Sequence, residues 1–120
     1  VSFAGAYEPG ETAALAGHVD LACFPSRAEE TFGLVVAEAR AAGLPVLVSD
    51  RGALHEVVGE AGEALPANDP AAWAKRLVEL ASDQPTLTRW AAAARRDLLS
   101  LMEHGQAVAD LYARVMEAHP

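Results

Sequence analysis

The sequence predicts an α/β chain in which a parallel sheet is flanked by helices and followed by a helical tail. Three observations carry this reading. Short apolar runs stand at residues 1–4, 21–24 and 46–48, and the later two show no apolar–polar alternation, as expected of strands buried on both faces. Helical stretches at about 11–18 and 32–42 separate those runs, the alternation of a parallel sheet with right-handed crossovers. Beyond about residue 68 helical spacing takes over.

Each element has a local cause. The first run, 1–4, is read as a strand, and the Pro9-Gly10 turn opens the helix at 11–18. Asp20 precedes the strand at 21–24, and Gly43-Leu44-Pro45 leads into the strand at 46–48. One or two helical turns are expected at 54–58, and a short edge strand around Ala64-Leu65 within 62–67. Asn68-Asp69-Pro70 is a helix start, a capping side chain followed by proline in the first turn. Trp73, Leu77, Leu80 and Ala81 then recur at helical spacing. Asp83-Gln84-Pro85 opens a second helix with Leu87, Trp90, Ala91, Ala94, Leu98 and Leu101 on one side, which Gly105 is expected to break. A last helix puts Val108, Leu111, Tyr112 and Val115 on one apolar face. The chain divides into βα units over 1–67 and C-terminal helices over 68–120, a single partial domain without repeats or linkers.

Composition narrows the function classes. At 120 residues and 52% hydrophobic, the chain can bury a core and is not a disordered segment. Nine basic against 17 acidic side chains, a net charge of −8, argue against a nucleic-acid or anionic-membrane partner. The single cysteine, Cys23, excludes an internal disulfide and a cysteine-based zinc cage. No apolar run approaches the roughly 20 residues that span a bilayer, and no charged-then-apolar leader opens the chain, so the cytoplasm is the expected location. A strand at the very start, without an initiator methionine, suggests a fragment of a larger protein.

Several chemistries are missing from the sequence. There is no Gly-x-Gly pair, hence no dinucleotide fingerprint or Walker loop, and no Gly-x-Ser-x-Gly elbow. The four histidines lack metal-ligand spacing, and no metal site is expected. The informative stretch is Phe24-Pro-Ser-Arg-Ala-Glu-Glu-Thr-Phe-Gly-Leu-Val-Val-Ala-Glu-Ala39, running from a strand end through a polar loop into a helix. Ligands of open α/β sheets bind outside the carboxyl ends of the strands, where helix N-termini offer free N–H groups to anions. Thr31 is positioned to cap this helix, and Gly33 lets a ligand approach the backbone. The loop Ser49-Asp50-Arg51-Gly52-Ala53 leaves the next strand at the same edge. Glu38 shares a stripe with Leu34 and Ala41, which predicts an inward carboxylate. Either it is paired with a buried arginine or it accepts hydrogen bonds from ligand hydroxyls. Glu30, eight residues upstream, points to the crevice mouth or merely favours the helix N-terminus.

Pro25-Ser26, Glu30, Phe32-Gly33-Leu34 and Glu38-Ala39, followed by Ala42-Gly43-Leu44-Pro45-Val46 and Ser49-Asp50, resemble the donor-site segment of retaining glycosyltransferases. The family is the group 1 (family 4 type) set with the two-Rossmann GT-B fold, marked by a Glu-x7-Glu pair. Gly52, Glu56-Val57-Val58 and Asn68-Asp69-Pro70 fall at its glycine loop and following helix starts, so the resemblance covers about residues 1–95. Ala53 stands where a second glycine is usual, and His55 where a proline is.

The resemblance implies a Rossmann-like C-terminal donor-binding half of a bacterial-type hexosyltransferase. It implies that Glu38 binds the ribose hydroxyls of a nucleotide-sugar donor, that Glu30 stands beside the reacting centre as the catalytic carboxylate, and that the backbone at Gly33 and Leu34 faces the phosphates. Ser26, Thr31, Phe32, Arg51 and Gly52 complete the expected donor site. Arg27 and Arg51 are the cations on the two loops, and the family's further arginine and lysine come from an earlier segment. No cofactor is implied beyond the nucleotide-diphosphate sugar itself. The N-terminal acceptor domain would be absent, any membrane association would run through it, and the fragment alone would be inactive. The alternative is a non-catalytic nucleotide-binding or assembly module of the same fold. A receiver-like signalling domain fits poorly, because Asp50 lacks the acidic cluster such domains need.

Overall fold

The computed structural model describes residues 2–3, 5–6, 8, 11–96 and 98–118. Strands β1 (Ala22–Phe24), β2 (Val46–Ser49) and β3 (Gly62–Leu65) form one sheet in the order β1-β2-β3. Both pairings are parallel, with Ala22 opposite Val46 and Val46 opposite Gly62. The expected strands at 21–24 and 46–48 are therefore present and parallel, and β3 is the expected edge strand. The strand expected at 1–4 is not among the three: Val1 and Ala4 lie outside the described residues, and Ser2 and Phe3 carry no strand pairing. Phe3 is 96% exposed.

Among the described residues six α-helices accompany the sheet: α1 (Thr12–Ala16), α2 (Leu34–Ala41), α3 (Leu54–Val58), α4 (Pro70–Leu80), α5 (Gln84–Ala93) and α6 (Leu101–Ala118). The continuous apolar character of β2 is explained by two cores on its two faces. Val46 and Val48 pack with Val36 and Ala39 of α2 and with Leu54 and Val58 of α3. Leu47, between them, points the other way, into a cluster with Trp73 and Leu80 of α4 and Leu87 and Trp90 of α5. Each such fully buried Val or Leu is worth about 1.5–3 kcal/mol, so β2 anchors both layers. Gly62 allows β3 to lie against β2: a Cβ there would sit 1.7 Å from the Val46 carbonyl oxygen.

The capping signals act as expected. Asp69 accepts from the Ala72 N–H at 3.0 Å and Asp83 from the Thr86 N–H at 3.1 Å, each with proline in the first turn that follows. The helix boundaries further on differ from expectation. α5 ends at Ala93, α6 begins at Leu101, and Gly105 lies inside α6 rather than breaking a helix. The cause is a capping box: the Glu103 N–H donates to Ser100 Oγ, and the Ser100 N–H donates to Glu103 Oε2. That start outweighs the modest cost of one interior glycine. Residues 102–118 are all exposed, so the apolar face of α6 is formed but unburied. No described helix is long and apolar enough to cross a membrane.

Candidate functional site

Because β1 and β2 are parallel, the loops that leave them emerge at the same edge of the sheet. They are joined there main chain to main chain. The Ala53 N–H donates to the Glu30 carbonyl oxygen at 2.8 Å. Gly52 makes this approach possible: its φ is +55°, and a Cβ would stand 2.1 Å from that same oxygen. A second contact lies beside it, where Gly33, at φ +77°, faces Leu54 so closely that a Cβ would meet the Leu54 side chain at 2.6 Å.

Gly33, not Thr31, is the N-cap of α2, and no side chain caps this helix. The left-handed conformation at Gly33 also explains why α2 starts two residues later than the expected 32. The N–H groups of Leu34 and Val35 consequently have no acceptor among the described residues and point out of the helix start.

A cleft of about 360 Å³ opens at this edge, lined by Phe24, Ser26, Glu30, Val35, Val36 and Leu54 among others. It is mostly apolar with one polar pair, Ser26 Oγ donating to Glu30 Oε1 at 3.2 Å. Glu30 is half-buried, and this hydrogen bond orients its carboxylate. Arg51 lies 3.5 Å from Glu29, while its Nε is buried without a hydrogen-bond partner among the described residues. Arg27 is exposed and makes no ion pair among the described residues. Asp50 is engaged structurally: its carboxylate accepts from the Ala67 N–H at 2.9 Å and ties the ends of β2 and β3 together. His55, at the position where a proline was expected, places Nδ1 2.9 Å from the Gly52 carbonyl and so braces the turn that proline would have stiffened.

The inward orientation expected for Glu38 is overturned. Glu38 is exposed, and the residues of α2 that face the core are Val36, Ala39 and Arg40, on the opposite side of the helix from the expected stripe. A buried salt bridge of Glu38 is thereby excluded. Leu34 at 67% and Phe32 at 56% are exposed too, and neither they nor Glu38 line the cleft. The structure therefore brings Ser26, Glu30 and Gly52 together and leaves Thr31, Phe32, Leu34 and Glu38 open to solvent. Sequence patterning did not single out the buried Arg40 or the apolar walls Val35 and Leu54.

A parallel sheet between two helical layers, with glycine-bearing loops meeting at its carboxyl edge, defines a Rossmann-like α/β unit. The chain belongs to the family "Glycosyl transferases group 1", whose sequence model matches residues 1–97. It is 39% identical over 95 residues to the phosphatidyl-myo-inositol mannosyltransferase of Mycobacterium leprae, a match covering 78% of this chain and 25% of that protein. The D-inositol 3-phosphate glycosyltransferase of Streptomyces avermitilis is 39% identical over 94 residues, covering 75% of this chain and 20% of the relative. Among solved structures, sucrose-phosphate synthase from Thermosynechococcus elongatus superposes with a TM-score of 0.84 at 26% identity, covering 98% of this chain and 30% of that one. The chain thus spans a quarter or less of the length of these two sequence relatives.

Proposed function

We propose that this chain binds the nucleotide-sugar donor for retaining glycosyl transfer, as the C-terminal donor half of a larger, cytoplasmic glycosyltransferase of hexosyltransferase type. The observation that carries the reading is the main-chain junction of Glu30 with Gly52 and Ala53, which fixes a carboxylate at the edge where ligands of such sheets bind. In this reading the N–H groups at the start of α2, Leu34 foremost, receive the donor diphosphate with Gly33 giving access. Arg51 and Arg27 offset its charge. Glu38, exposed and unpaired among the described residues, accepts hydrogen bonds from ribose hydroxyls. Glu30, held by Ser26, stands near the anomeric carbon, where positive charge develops as the diphosphate leaves. Ser26, Thr31, Phe32 and Gly52 border the donor. The reading calls for no metal ion and no cofactor besides the donor.

An acceptor domain upstream would supply the second substrate, and proximity across the two halves would supply much of the rate, so the 120 residues alone are expected to bind without turnover. Calorimetric titration of the full-length protein with ADP, GDP and UDP tests the proposal. Saturable binding of one of them, weakened by Glu38→Gln, is expected. No binding of any of the three would overturn it. Donor binding without transfer to any acceptor would instead favour a non-catalytic module of the same fold.

A further inference from the structure

Arg40 is 4% exposed, and a guanidinium out of water is costly unless its N–H groups are occupied. Its nitrogens reach three different backbone carbonyls. Nη1 donates to Val57 at 2.5 Å, Nη2 to Arg96 at 2.6 Å and Nε to Ala94 at 3.1 Å. Val57 belongs to the last turn of α3, and Ala94 and Arg96 follow the end of α5. These are the carbonyls that a helix C-terminus leaves without partners and where its partial negative charge lies. One planar fork therefore closes the ends of two helices at once, which a lysine ammonium, a single point of charge, does not reproduce.

The consequence reaches the cleft. α3 has five residues, too few to persist without tertiary support. Its start is fixed at Glu30 and Gly33, through the Ala53 N–H and the Leu54 side chain. Its end is fixed by Arg40. Val58 still packs in the core, but without that second anchor only non-directional apolar packing holds the end of α3, and Gly52 and Ala53 shift with it against the Glu30 main chain. We infer that Arg40 is a positioning residue that sets Glu30 through α3, an inference that rests on the donor-site reading above.

The test uses the full-length protein carrying Arg40→Met, with Arg40→Lys as the variant that keeps the charge. Amide exchange over Leu54–Val58 reports the anchor. Calorimetry with GDP-mannose, UDP-glucose and ADP-glucose, each beside its nucleoside diphosphate, reports the site well below the melting temperature of either variant. Expected are faster exchange over α3 in both variants, and a loss of about tenfold in affinity for the nucleotide sugar that binds wild type. Affinity for the bare nucleoside diphosphate, which is received at the start of α2 and does not reach Glu30, should fall clearly less, so that the ratio of the two affinities changes. A variant that melts earlier yet keeps the wild-type ratio of the two affinities would show Arg40 to be structural only and overturn the inference. Full restoration of that ratio by Arg40→Lys would overturn it too. If wild type binds none of these ligands, the donor-site reading fails, recognisable because exchange over α3 still accelerates in the variants.

Discussion

Glu30 and Ala53 are hydrogen-bonded main chain to main chain at 2.8 Å, although 23 positions separate them, and the residue that permits it is Gly52. A methyl group at position 52 would meet the Glu30 carbonyl oxygen at 2.1 Å and its nitrogen at 2.6 Å, both main-chain atoms that cannot swing aside.

That geometry separates two glycine substitutions. Gly33→Ala and Gly52→Ala both place a side chain at positive φ, at a cost of about 1–2 kcal/mol. At Gly33 the obstacle is the Leu54 side chain, which can rotate; at Gly52 it is the backbone. Gly52→Ala should therefore destabilise by at least about 3 kcal/mol, and Gly33→Ala by clearly less. Urea unfolding of both variants checks the ranking. Equal losses would mean that the loops are not in contact as described.

The helix caps give a pH-dependent expectation. The hydrogen bond from Thr86 holds the Asp83 carboxyl below its ordinary value of 3.8. A depressed carboxyl pKa contributes stability that is complete above the ordinary value and is lost as pH falls through the folded-state value. Asp83→Ala should destabilise the protein at neutral pH, because the Thr86 N–H loses its acceptor. The gap to wild type should stay constant down to about pH 5 and shrink below 3.8. Unfolding midpoints measured from pH 7 to pH 2.5 follow it, and a gap that widens in acid would contradict the assignment.

Gly105 offers a gain. It sits inside α6, and beyond the adjoining helix backbone nothing among the described residues comes within 4 Å of a Cβ placed on it. Gly105→Ala should raise helix stability by about 0.5–1 kcal/mol. Ser100→Ala should lower it by removing the acceptor of the Glu103 N–H. Circular dichroism of the two variants should move in opposite directions.

These cases show which parts of the molecule were legible in the sequence. Asp69, Asp83 and the apolar run of β2 were readable because a cap and a doubly buried strand are determined within a few residues. The inward face of α2 was not. Leu34 and Val35 are as apolar as Val36 and Ala39, so spacing left two candidate faces, and the wrong one carried Glu38 inward. What decided it were carbonyls 54 and 56 positions away, at Ala94 and Arg96, which make burying Arg40 affordable. Ser100 and Glu103 have capping-box spacing, a local signal for the α6 start that the break expected at Gly105 left out. In the site, the Glu30–Glu38 spacing and Gly52 carried the family resemblance. The contact between Gly52 and Glu30 is a tertiary fact with no local signature.

The two glutamates should behave differently in the full-length protein. Glu38 is exposed, so Glu38→Gln should leave stability within about 0.5 kcal/mol of wild type, and any functional loss belongs to the ligand. Ribose hydroxyls are the same in ground and transition states, so losing a charge-assisted bond to them removes uniform binding. With about 1.5–3 kcal/mol at stake, donor KM should rise roughly ten- to a hundredfold with a smaller change in kcat. In Glu30→Gln the amide oxygen still accepts from Ser26 Oγ, so the side chain keeps its place and loses its charge. Placed where cationic character builds at the anomeric carbon, that charge helps most in the transition state, and kcat should fall more than KM rises. Steady-state kinetics against varied donor, with thermal unfolding alongside, separates the roles. Kinetics unchanged in both variants would remove this edge of the sheet from consideration as the donor site, and a KM effect confined to Glu30→Gln would exchange the two assignments.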